Sequence, residues 1–405
     1  MAPASPPSPL RQPARFPVLT GATVLQVIPE LGAGGAERTV LEMVEALREA
    51  GARAIVVSSG GRLVGDVEAL GGEHIRMNVK SKNPAVVWQN AGRLAALVRS
   101  RGVDLIHARS RAPAWSGLWA ARRTRTPFIT TYHGAYHARS RLKRLYNSVM
   151  VRGARVIANS QWTAAHIQAE HAVGPPRLVT IPRGVDLMAF DPDAVSPERT
   201  AAKRRDFAGS DRDGVLVILL PGRLTRWKGQ GLALEAFVGL TAEERAGLRL
   251  VLLGDAQGRT AYVGELTDAV DDAGLNASVR LMPHTGDMPA AYLASDIVLA
   301  PSLRPEAFGR TAAEAGALAR PVIAADHGGA RETVIEGETG IRFAPGDAAE
   351  LTAALRTLIS LGPGARAAMG QAARAYVTNN FAKRGMQAAT LNVYSGVLGG
   401  TESKV

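Results

Sequence analysis

Short apolar runs alternate with helical stretches along most of this 405-residue chain. Such alternation predicts βαβ units, whose strands form parallel sheets with helices on both faces. The strand signals of the first half are Val24–Ile28, Ala54–Ser58, Asp104–His107, Pro127–Thr131 and Val156–Ala158. Those of the second half are Val215–Leu220, Leu250–Leu253, Val279–Met282, Ile297–Ala300 and Pro321–Ala325. The pattern therefore predicts an α/β protein.

The length of the chain favours two domains over one. Residues 187–212 are rich in Pro, Asp and Arg and predict a hinge region. We expect a disordered Pro-rich tail over residues 1–17, a first domain over 18–200 and a second domain over 201–378. The remaining residues, 379–405, contain the pattern of a last helix.

The composition excludes several kinds of site. The chain has no cysteine, which excludes disulfides, thiolate metal ligands and a cysteine nucleophile. The first 17 residues contain six prolines and no apolar core, so they do not resemble a signal peptide. No apolar run approaches the ~20 residues of a membrane-spanning helix. We expect a cytoplasmic protein, in solution or peripheral on the cytoplasmic face of the inner membrane.

The net charge of +12 lies in the first half of the chain. Residues 1–200 contain 26 Lys and Arg against 14 Asp and Glu, whereas residues 201–405 contain 22 of each. Within 99–155 there are thirteen basic residues and one acidic residue, Asp104. Such a local bias favours an anionic membrane surface or a phosphorylated acceptor over nucleic acid.

Six basic residues of this stretch are candidates for contact with the acceptor or the membrane: Arg109, Arg111, Arg139, Arg141, Lys143 and Arg144. The last four alternate with apolar residues, as in a helix that lies on a membrane surface. A solvated helix face produces the same pattern. Ordinary surface charge also explains Arg109 and Arg111.

The segment 301–314 follows the predicted strand Ile297–Ala300 and contains two glutamates, Glu306 and Glu314. Gly309 opens an Ala-rich helical pattern, and the free N–H groups of a helix N-terminus favour anions. Glu314 lies about two turns inside this helix among small residues, where a carboxylate needs a hydrogen-bonding partner. The alternative is a loop charge and a solvated helix face.

A second loop, Gly222-Arg223-Leu224-Thr225-Arg226-Trp227-Lys228-Gly229, follows the strand Val215–Leu220. Arg223 and Lys228 lie five residues apart between glycines. A guanidinium fork and a point charge together suit an anionic leaving group. A solvated surface loop is the alternative, although such loops rarely have glycine on both sides.

In the first half, Gly34 and Gly35 lie between a strand and a helix, where backbone N–H groups approach phosphates closely. Their spacing is not the dinucleotide fingerprint, and a tight turn explains them equally well. His133 comes just after the predicted strand Pro127–Thr131, with only Tyr132 between them, and a glycine follows it. Since ligands bind at the carboxyl ends of parallel strands, we expect His133 to reach a cleft.

The motifs resemble those of retaining glycosyltransferases of the family 4 type, including bacterial enzymes of lipopolysaccharide and capsule synthesis. The resemblance covers residues 20–395 and rests on several ordered motifs, among them Gly34-Gly35-Ala36-Glu37, Gly222-Arg223…Lys228-Gly229, Glu306-x7-Glu314 and Gly328-Gly329-x-x-Glu332. Arg331 replaces the usual proline of the last motif. The resemblance implies a GT-B fold, with two Rossmann-like domains that face a cleft and a C-terminal helix, within 379–405, that crosses back to the first domain.

The resemblance also implies roles for individual residues. Arg223 and Lys228 would bind the donor diphosphate, with Gly222 and the helix N-terminus at Phe308 and Gly309. Glu314 would bind the ribose and Glu306 the donor sugar. His133 would lie beside the transferred sugar, and Gly34 and Gly35 near the diphosphate and acceptor. The loop of His284 would meet the nucleobase.

These observations predict a metal-independent hexosyltransferase that moves a sugar from a UDP- or GDP-sugar donor to a lipid-linked or phosphorylated glycan with retention. No cofactor is expected besides the donor, and no metal, since no carboxylate cluster is evident. Three alternatives stay open: a nucleotide-sugar epimerase or hydrolase on the same fold, and a non-catalytic membrane-surface protein. A glycosidase is disfavoured by the spacing of the two glutamates.

Overall fold

The computed structural model describes residues 15–32, 34–138, 140–209 and 214–399, which divide into two compact units. The first unit contains residues 15–184 together with residues 383–399, and the second contains residues 185–382. Each unit is a parallel sheet with helices on both faces. The α/β class and the two Rossmann-like domains are therefore confirmed.

The first unit is built on a seven-stranded parallel sheet with strand order β3-β2-β1-β4-β5-β6-β7. Its strands are β1 (Thr23–Val27), β2 (Arg53–Ser58), β3 (Glu73–Arg76), β4 (Leu105–Ala108), β5 (Phe128–Tyr132), β6 (Arg155–Ala158) and β7 (Leu178–Thr180). Its helices are α1 (Gly35–Glu49), α2 (Val64–Ala69), α3 (Pro84–Arg101), α4 (Arg111–Thr124), α5 (Arg141–Asn147), α6 (Gln161–His171) and α16 (Lys383–Gly399).

The second unit has a six-stranded parallel sheet with strand order β10-β9-β8-β11-β12-β13. Its strands are β8 (Leu216–Pro221), β9 (Leu248–Leu253), β10 (Val279–Met282), β11 (Ile297–Ala300), β12 (Val322–Ala325) and β13 (Gly340–Phe343). Its helices are α7 (Pro197–Ala208), α8 (Gln230–Val238), α9 (Ala242–Arg245), α10 (Thr260–Asp272), α11 (Met288–Leu293), α12 (Arg310–Ala317), α13 (Ala330–Thr333), α14 (Ala348–Ser360) and α15 (Gly362–Asn380). The strand order reverses between β8 and β11, which is where ligands bind such sheets.

The central strands are buried along their whole length, as β1 and β9 show. Strands covered on both faces read as continuous apolar runs, which is why all ten predicted strands match observed ones within two residues at each end. The three strands that sequence reasoning missed, β3, β7 and β13, lie at sheet edges and are partly exposed. They lack an apolar run for that reason.

Nearly half of the predicted hinge region 187–212 is helical, which its composition did not indicate. Residues Pro197–Ala208 form α7, whose first turn is capped by the Ser196 hydroxyl and begins with proline. Arg204 fixes the helix to the second unit by an ion pair with Asp296 at 2.6 Å. The helix with the basic residues, α5, is short: it ends at Asn147, and a 3-10 turn follows.

Helix α16 belongs to the first unit, where a buried polar network holds it against the sheet. His107 on β4 lies 2.7 Å from both the Tyr394 hydroxyl and the Thr131 hydroxyl through its two ring nitrogens. At the surface, Arg384 pairs with Glu49 on α1. Of the predicted tail, Phe16 packs under the Arg384 guanidinium at 4.2 Å, and residues 1–14 lie outside the described residues.

No helix among the described residues combines the length and the apolar character needed to cross a membrane.

Candidate functional site

Three loops of the second unit follow the carboxyl ends of the adjacent strands β8, β11 and β12. Gly229 brings the first two loops into backbone contact, because a Cβ there would lie 2.1 Å from the Pro301 carbonyl oxygen, and its φ is +82°. The Leu303 N–H also donates to the Trp227 carbonyl at 2.7 Å. This close approach requires glycine, and it places Lys228 beside the segment that carries Glu306.

The two predicted cations both lie near Trp227. The Arg223 guanidinium is 5.9 Å from the centre of the Trp227 ring, and the Lys228 ammonium is 4.8 Å from it. Arg223 is exposed, whereas the Lys228 side chain is only 14% exposed. Gly222, with φ +154°, lies against the Lys228 stem. Both cations therefore lie close to one indole ring, in the loop that follows β8.

Lys228 and Glu306 form an ion pair. The Lys228 Nζ donates to Glu306 Oε1 at 2.7 Å, and the Ser302 hydroxyl donates to the same oxygen. Burial raises the pKa of the Glu306 carboxyl, but the Lys228 charge and the hydrogen bonds from Lys228 and Ser302 outweigh it. The pKa consequently lies below its ordinary value, and Glu306 is ionised at neutral pH.

His327, at the end of β12, is a site residue that sequence reasoning missed. Its Nε2 lies 2.7 Å from the Ser302 carbonyl oxygen, which only accepts, so Nε2 carries the proton. Nδ1 then holds a lone pair, and this buried atom has no hydrogen-bond partner among the described residues. Burial lowers the pKa of His327, so the ring is neutral at pH 7. The available signal was a histidine directly after a strand end, beside Asp326.

Helix α12 begins at Arg310, after Gly309 with φ +80°. No side chain caps its N-terminus. Phe308 is buried against Phe381, with the two ring centres 5.4 Å apart. The Phe308 side chain therefore does not face a ligand, and the predicted donor contact of Phe308 and Gly309 could be made only by backbone N–H groups. Gly309 requires a left-handed backbone, and the free N–H groups of the first turn suit an anion.

Glu314 lies little more than one turn inside α12, so the prediction of two turns was wrong. Its carboxylate accepts a hydrogen bond from the Tyr292 hydroxyl at 3.1 Å and lies 3.7 Å from the Arg310 guanidinium. The partner expected for a carboxylate among small residues is thus present.

The Gly328-Gly329 loop packs against the backbone of Glu306. A Cβ at Gly328 would lie 2.4 Å from the Glu306 carbonyl oxygen, and the Gly329 N–H donates to that oxygen at 2.7 Å. Arg331, in place of the usual proline, forms two hydrogen bonds of 3.0 Å with the Asp326 carboxylate. Arg331 therefore links α13 to the end of β12. His284, after β10, is exposed.

In the first unit, Gly34 and Gly35 begin α1 without a side-chain cap, so the N–H groups of that turn are also available. Ala33 lies outside the described residues. His133 follows β5, and its Nδ1 lies 2.7 Å from an Arg183 guanidinium nitrogen. Since guanidinium nitrogens only donate, Nδ1 is the acceptor and the neutral ring carries its proton on Nε2.

The prediction that Arg109 contacts an acceptor or a membrane is wrong, because this residue lies in the core. It is 2% exposed, and its Nε donates to the Gln26 side chain at 2.8 Å. Arg111 is half-buried, stacked 4.1 Å from the Tyr136 ring and bonded to Asn147. Arg141, Lys143 and Arg144 are exposed on α5. Arg139 lies outside the described residues.

One group of metal-ligand type occurs among the described residues, and one of its members is too far from the others in the chain for a metal-binding motif to show. Ligand atoms of His137, His166 and Glu170 lie within 4.8 Å of one another in the first unit. His166 and Glu170 are four apart on α6, while His137 comes from the loop after β5. One His166 nitrogen already accepts from the Tyr136 N–H at 3.1 Å, so an ion would have to displace that bond. The prediction that no metal is needed remains a prediction.

Two family models match the chain in succession. Residues 33–188 match Glycosyltransferase Family 4, and residues 203–376 match Glycosyl transferases group 1. A D-inositol 3-phosphate glycosyltransferase of Xylanimonas cellulosilytica is 31% identical over 319 residues, or 73% of each protein. The chain belongs to glycosyltransferase family 4.

Other relatives of this family 4 glycosyltransferase match it over different lengths. A D-inositol 3-phosphate glycosyltransferase of Kineococcus radiotolerans is 35% identical over 254 residues, so the match spans 59% of this chain but only 56% of that relative. Among solved structures, a glycosyltransferase of Rickettsia africae is 33% identical, with a TM-score of 0.86, and the match covers 93% of this chain and 98% of that one.

Anabaena HepE, solved in complex with UDP and glucose, has a TM-score of 0.79 and 24% identity, and the match covers 92% of this glycosyltransferase and 99% of HepE. At that identity the likeness shows the fold alone. The two parallel-sheet domains of this chain are those of GT-B glycosyltransferases.

Proposed function

We propose that this glycosyltransferase moves a hexose from a nucleotide-sugar donor to a phosphorylated or lipid-linked acceptor, with retention at the anomeric carbon. The observation that carries the proposal is the Lys228–Glu306 pair beside Trp227, at the point where the strand order of the second sheet reverses. This arrangement combines a cation for a leaving phosphate with a carboxylate that accepts hydrogen bonds from sugar hydroxyls.

The leaving group of the reaction is a nucleoside diphosphate, on which negative charge develops as the glycosidic bond breaks. In the proposal Arg223 and Lys228 donate to its phosphate oxygens, and the N–H groups at the start of α12 face the same anion. Lys228 is held in place by Glu306 before the donor arrives, so little reorganisation is needed at the moment of reaction. Gly222 leaves room for the phosphate to approach the backbone.

Glu306 is proposed to accept hydrogen bonds from hydroxyls of the transferred sugar. It is ionised, and Ser302 and Lys228 both donate to Oε1. Oε2 then faces the ligand. Glu314 is proposed to bind the ribose and His284 to lie beside the base, and neither role depends on the ion pair. His133, Gly34 and Gly35 of the first unit are proposed to contact the sugar, the diphosphate and the acceptor.

We propose that the two cations take the place of a metal ion at the diphosphate. The support is their position together with the absence, among the described residues of the second unit, of a group of metal-ligand side chains. The cluster at His137 lies in the first unit and is not part of this argument.

The comparisons support particular choices of substrate. HepE binds UDP and UDP-glucose, which favours a UDP-sugar over a GDP-sugar as the first donor to test. The relatives named D-inositol 3-phosphate glycosyltransferases favour an acceptor with a phosphate group. A role in lipopolysaccharide or capsule synthesis is the lipid-linked form of the same proposal.

Helix α5 is proposed to hold the enzyme at an anionic membrane surface. Arg141, Lys143 and Arg144 are exposed, and so are Leu142 at 80% and Leu145 at 54%. A short helix with both exposed cations and exposed leucines suits the interface of an anionic bilayer. In this proposal the first unit would meet a lipid-linked glycan at the membrane surface.

The test is a matrix of donors and acceptors, with free nucleoside diphosphate as the readout. The donors are UDP-glucose, UDP-galactose, UDP-GlcNAc and GDP-mannose, each with and without inositol 3-phosphate or a lipid-linked glycan. Release that depends on an acceptor supports a transferase. Release from the donor alone identifies a hydrolase, and a changed sugar that stays on the nucleotide identifies an epimerase.

A further inference from the structure

A concave pocket of about 510 Å³ lies in the first unit, at the amino ends of β5 and β6. Its wall contains four arginines and no acidic residue: Arg122, Arg125, Arg152 and Arg155. Ligand-binding loops of parallel sheets follow the carboxyl ends of strands, so this pocket lies at the other end of the sheet from His133 and α5. None of the roles proposed above uses it.

The four arginines that line the pocket come from three separate elements. Arg122 and Arg125 lie at the end of α4, where the helix dipole stabilises a cation. Arg152 ends the 3-10 turn after α5, and Arg155 begins β6. A helix terminus explains the first two arginines but not the last two. The convergence of all four therefore needs another cause.

The pocket carries a net positive charge, because its lining includes four arginines and no acidic residue. Among the described residues, none of the four forms an ion pair, whereas Arg53, Arg226 and Arg356 at other exposed positions do. Arg152 donates only to the Ser148 hydroxyl, at 3.2 and 3.3 Å, and Arg155 to a neighbouring carbonyl oxygen at 3.0 Å. Like charges that share a concave surface repel unless an anion lies between them.

The floor of the pocket is apolar. Leu118, Phe128 and Val397 line it, and all three are otherwise buried in the core. Planar guanidinium groups bind phosphate oxygens in pairs, which a rim of four arginines permits at more than one phosphate. Beside the pocket, Arg123 stacks 4.1 Å from the ring of Trp88, which is 60% exposed.

We propose that this pocket binds a phosphorylated anion, either the headgroup of an anionic lipid or a soluble diphosphate, separately from the donor. The four arginines bind the phosphoryl oxygens, and the apolar floor packs against the carbon part of the ligand. The proposal does not rest on the glycosyltransferase activity, because binding alone tests it.

The test uses inorganic pyrophosphate in isothermal titration calorimetry with the whole chain. All proteins carry Lys228→Ala, which weakens binding at the proposed donor site of the second unit. The pocket variant adds Arg122→Gln, Arg125→Gln and Arg155→Gln. The control adds Arg141→Gln, Lys143→Gln and Arg144→Gln, which remove the same charge from α5. All six side chains are exposed or half-exposed, so the fold is retained, and thermal unfolding checks this.

We expect the pocket variant to bind pyrophosphate at least about tenfold more weakly than its parent, and the control to bind it within about twofold of the parent. Affinity in the parent should fall as salt is raised, because exposed charges are screened. Equal binding by the parent and the pocket variant would overturn the proposal. An equal loss in both triple variants would also overturn it, since that result reports net charge rather than a site.

Vesicles distinguish the two sources of the phosphate. Phosphatidylglycerol vesicles are sedimented with the α5 control and with a protein that carries both triple changes. If the pocket changes lower the sedimented fraction further, the ligand is a lipid headgroup. If pyrophosphate binding depends on the pocket but sedimentation does not, the ligand is a soluble anion.

Discussion

Removal of the Lys228 ammonium by Lys228→Ala tests the proposed clamp most sharply. One preorganised charge donor in an active site stabilises a transition state by about 2–4 kcal/mol, which corresponds to a loss of about 30- to 1,000-fold in kcat/KM. Lys228 and Glu306 are only 14% and 19% exposed, and their charged atoms are 2.7 Å apart. The substitution therefore also leaves a mostly buried carboxylate without its cation.

This second effect predicts a loss of stability of about 1–3 kcal/mol at pH 7, the scale for a buried acceptor that loses its partner. The pKa of Glu306 is lowered in the folded state, so its contribution to stability is present above the unfolded pKa and is lost as pH falls through the folded pKa. The stability difference between the variant and the wild type should therefore shrink between pH 7 and pH 3. Chemical denaturation at both pH values measures it.

Glu306→Gln is the matched control, because it keeps the shape of the side chain while it removes the charge that Lys228 neutralises. The double variant Lys228→Ala/Glu306→Gln should recover part of the lost stability and none of the lost activity. Nucleotide release from the donor in the presence of acceptor measures the activity. Full activity in Lys228→Ala, with the stability loss present, would refute the clamp and leave Lys228 a structural residue.

Four further outcomes are expected. Arg223→Ala should lower kcat/KM by a similar factor but leave the unfolding temperature unchanged, because Arg223 is exposed and lies 5.9 Å from Trp227 without an ion pair among the described residues; a stability loss would contradict this. His327→Ala should raise the donor KM by about three- to tenfold, because Nδ1 of His327 is a buried acceptor without a partner among the described residues. His327→Asn should raise the donor KM less than His327→Ala does. An unchanged KM in His327→Ala would show that His327 is not part of the site. Activity should persist in EDTA if the cations neutralise the diphosphate, and a complete loss that Mg²⁺ or Mn²⁺ restores would show a metal requirement. Neutralising Arg141, Lys143 and Arg144 should reduce sedimentation with anionic vesicles and leave donor hydrolysis unchanged; sedimentation equal to that of the wild type would make α5 a solvated face.

The strand ends that carry the second-unit site were predictable from the sequence. Buried parallel strands read as apolar runs, so the loops of Lys228 and Glu306 could each be assigned to the end of a strand. The sequence does not say that these two side chains would bond to each other. That contact depends on Gly229, which lets the backbone of one loop touch the Pro301 carbonyl of the next.

The errors come from long-range contacts. Arg109 follows a strand end and looks like a cleft residue, but Gln26, 83 positions earlier in the chain, draws it into the core. His327 gains its lone pair only because the carbonyl of Ser302 fixes the proton on Nε2. Residues 187–212 were predicted as a hinge region from their Pro, Asp and Arg content. That composition does not reveal helix α7, which the Ser196 cap begins and the ion pair of Arg204 with Asp296 holds in place.

The central claim is the transfer of a sugar with retention, and proton NMR of the product tests it most directly. The enzyme is incubated with UDP-glucose and an acceptor, and the coupling constant of the new anomeric proton is measured as UDP is released. An α-linked product, formed only when the acceptor is present, is the result that the account predicts. A β-linked product would contradict retention, and free glucose without a linked product would contradict transfer itself.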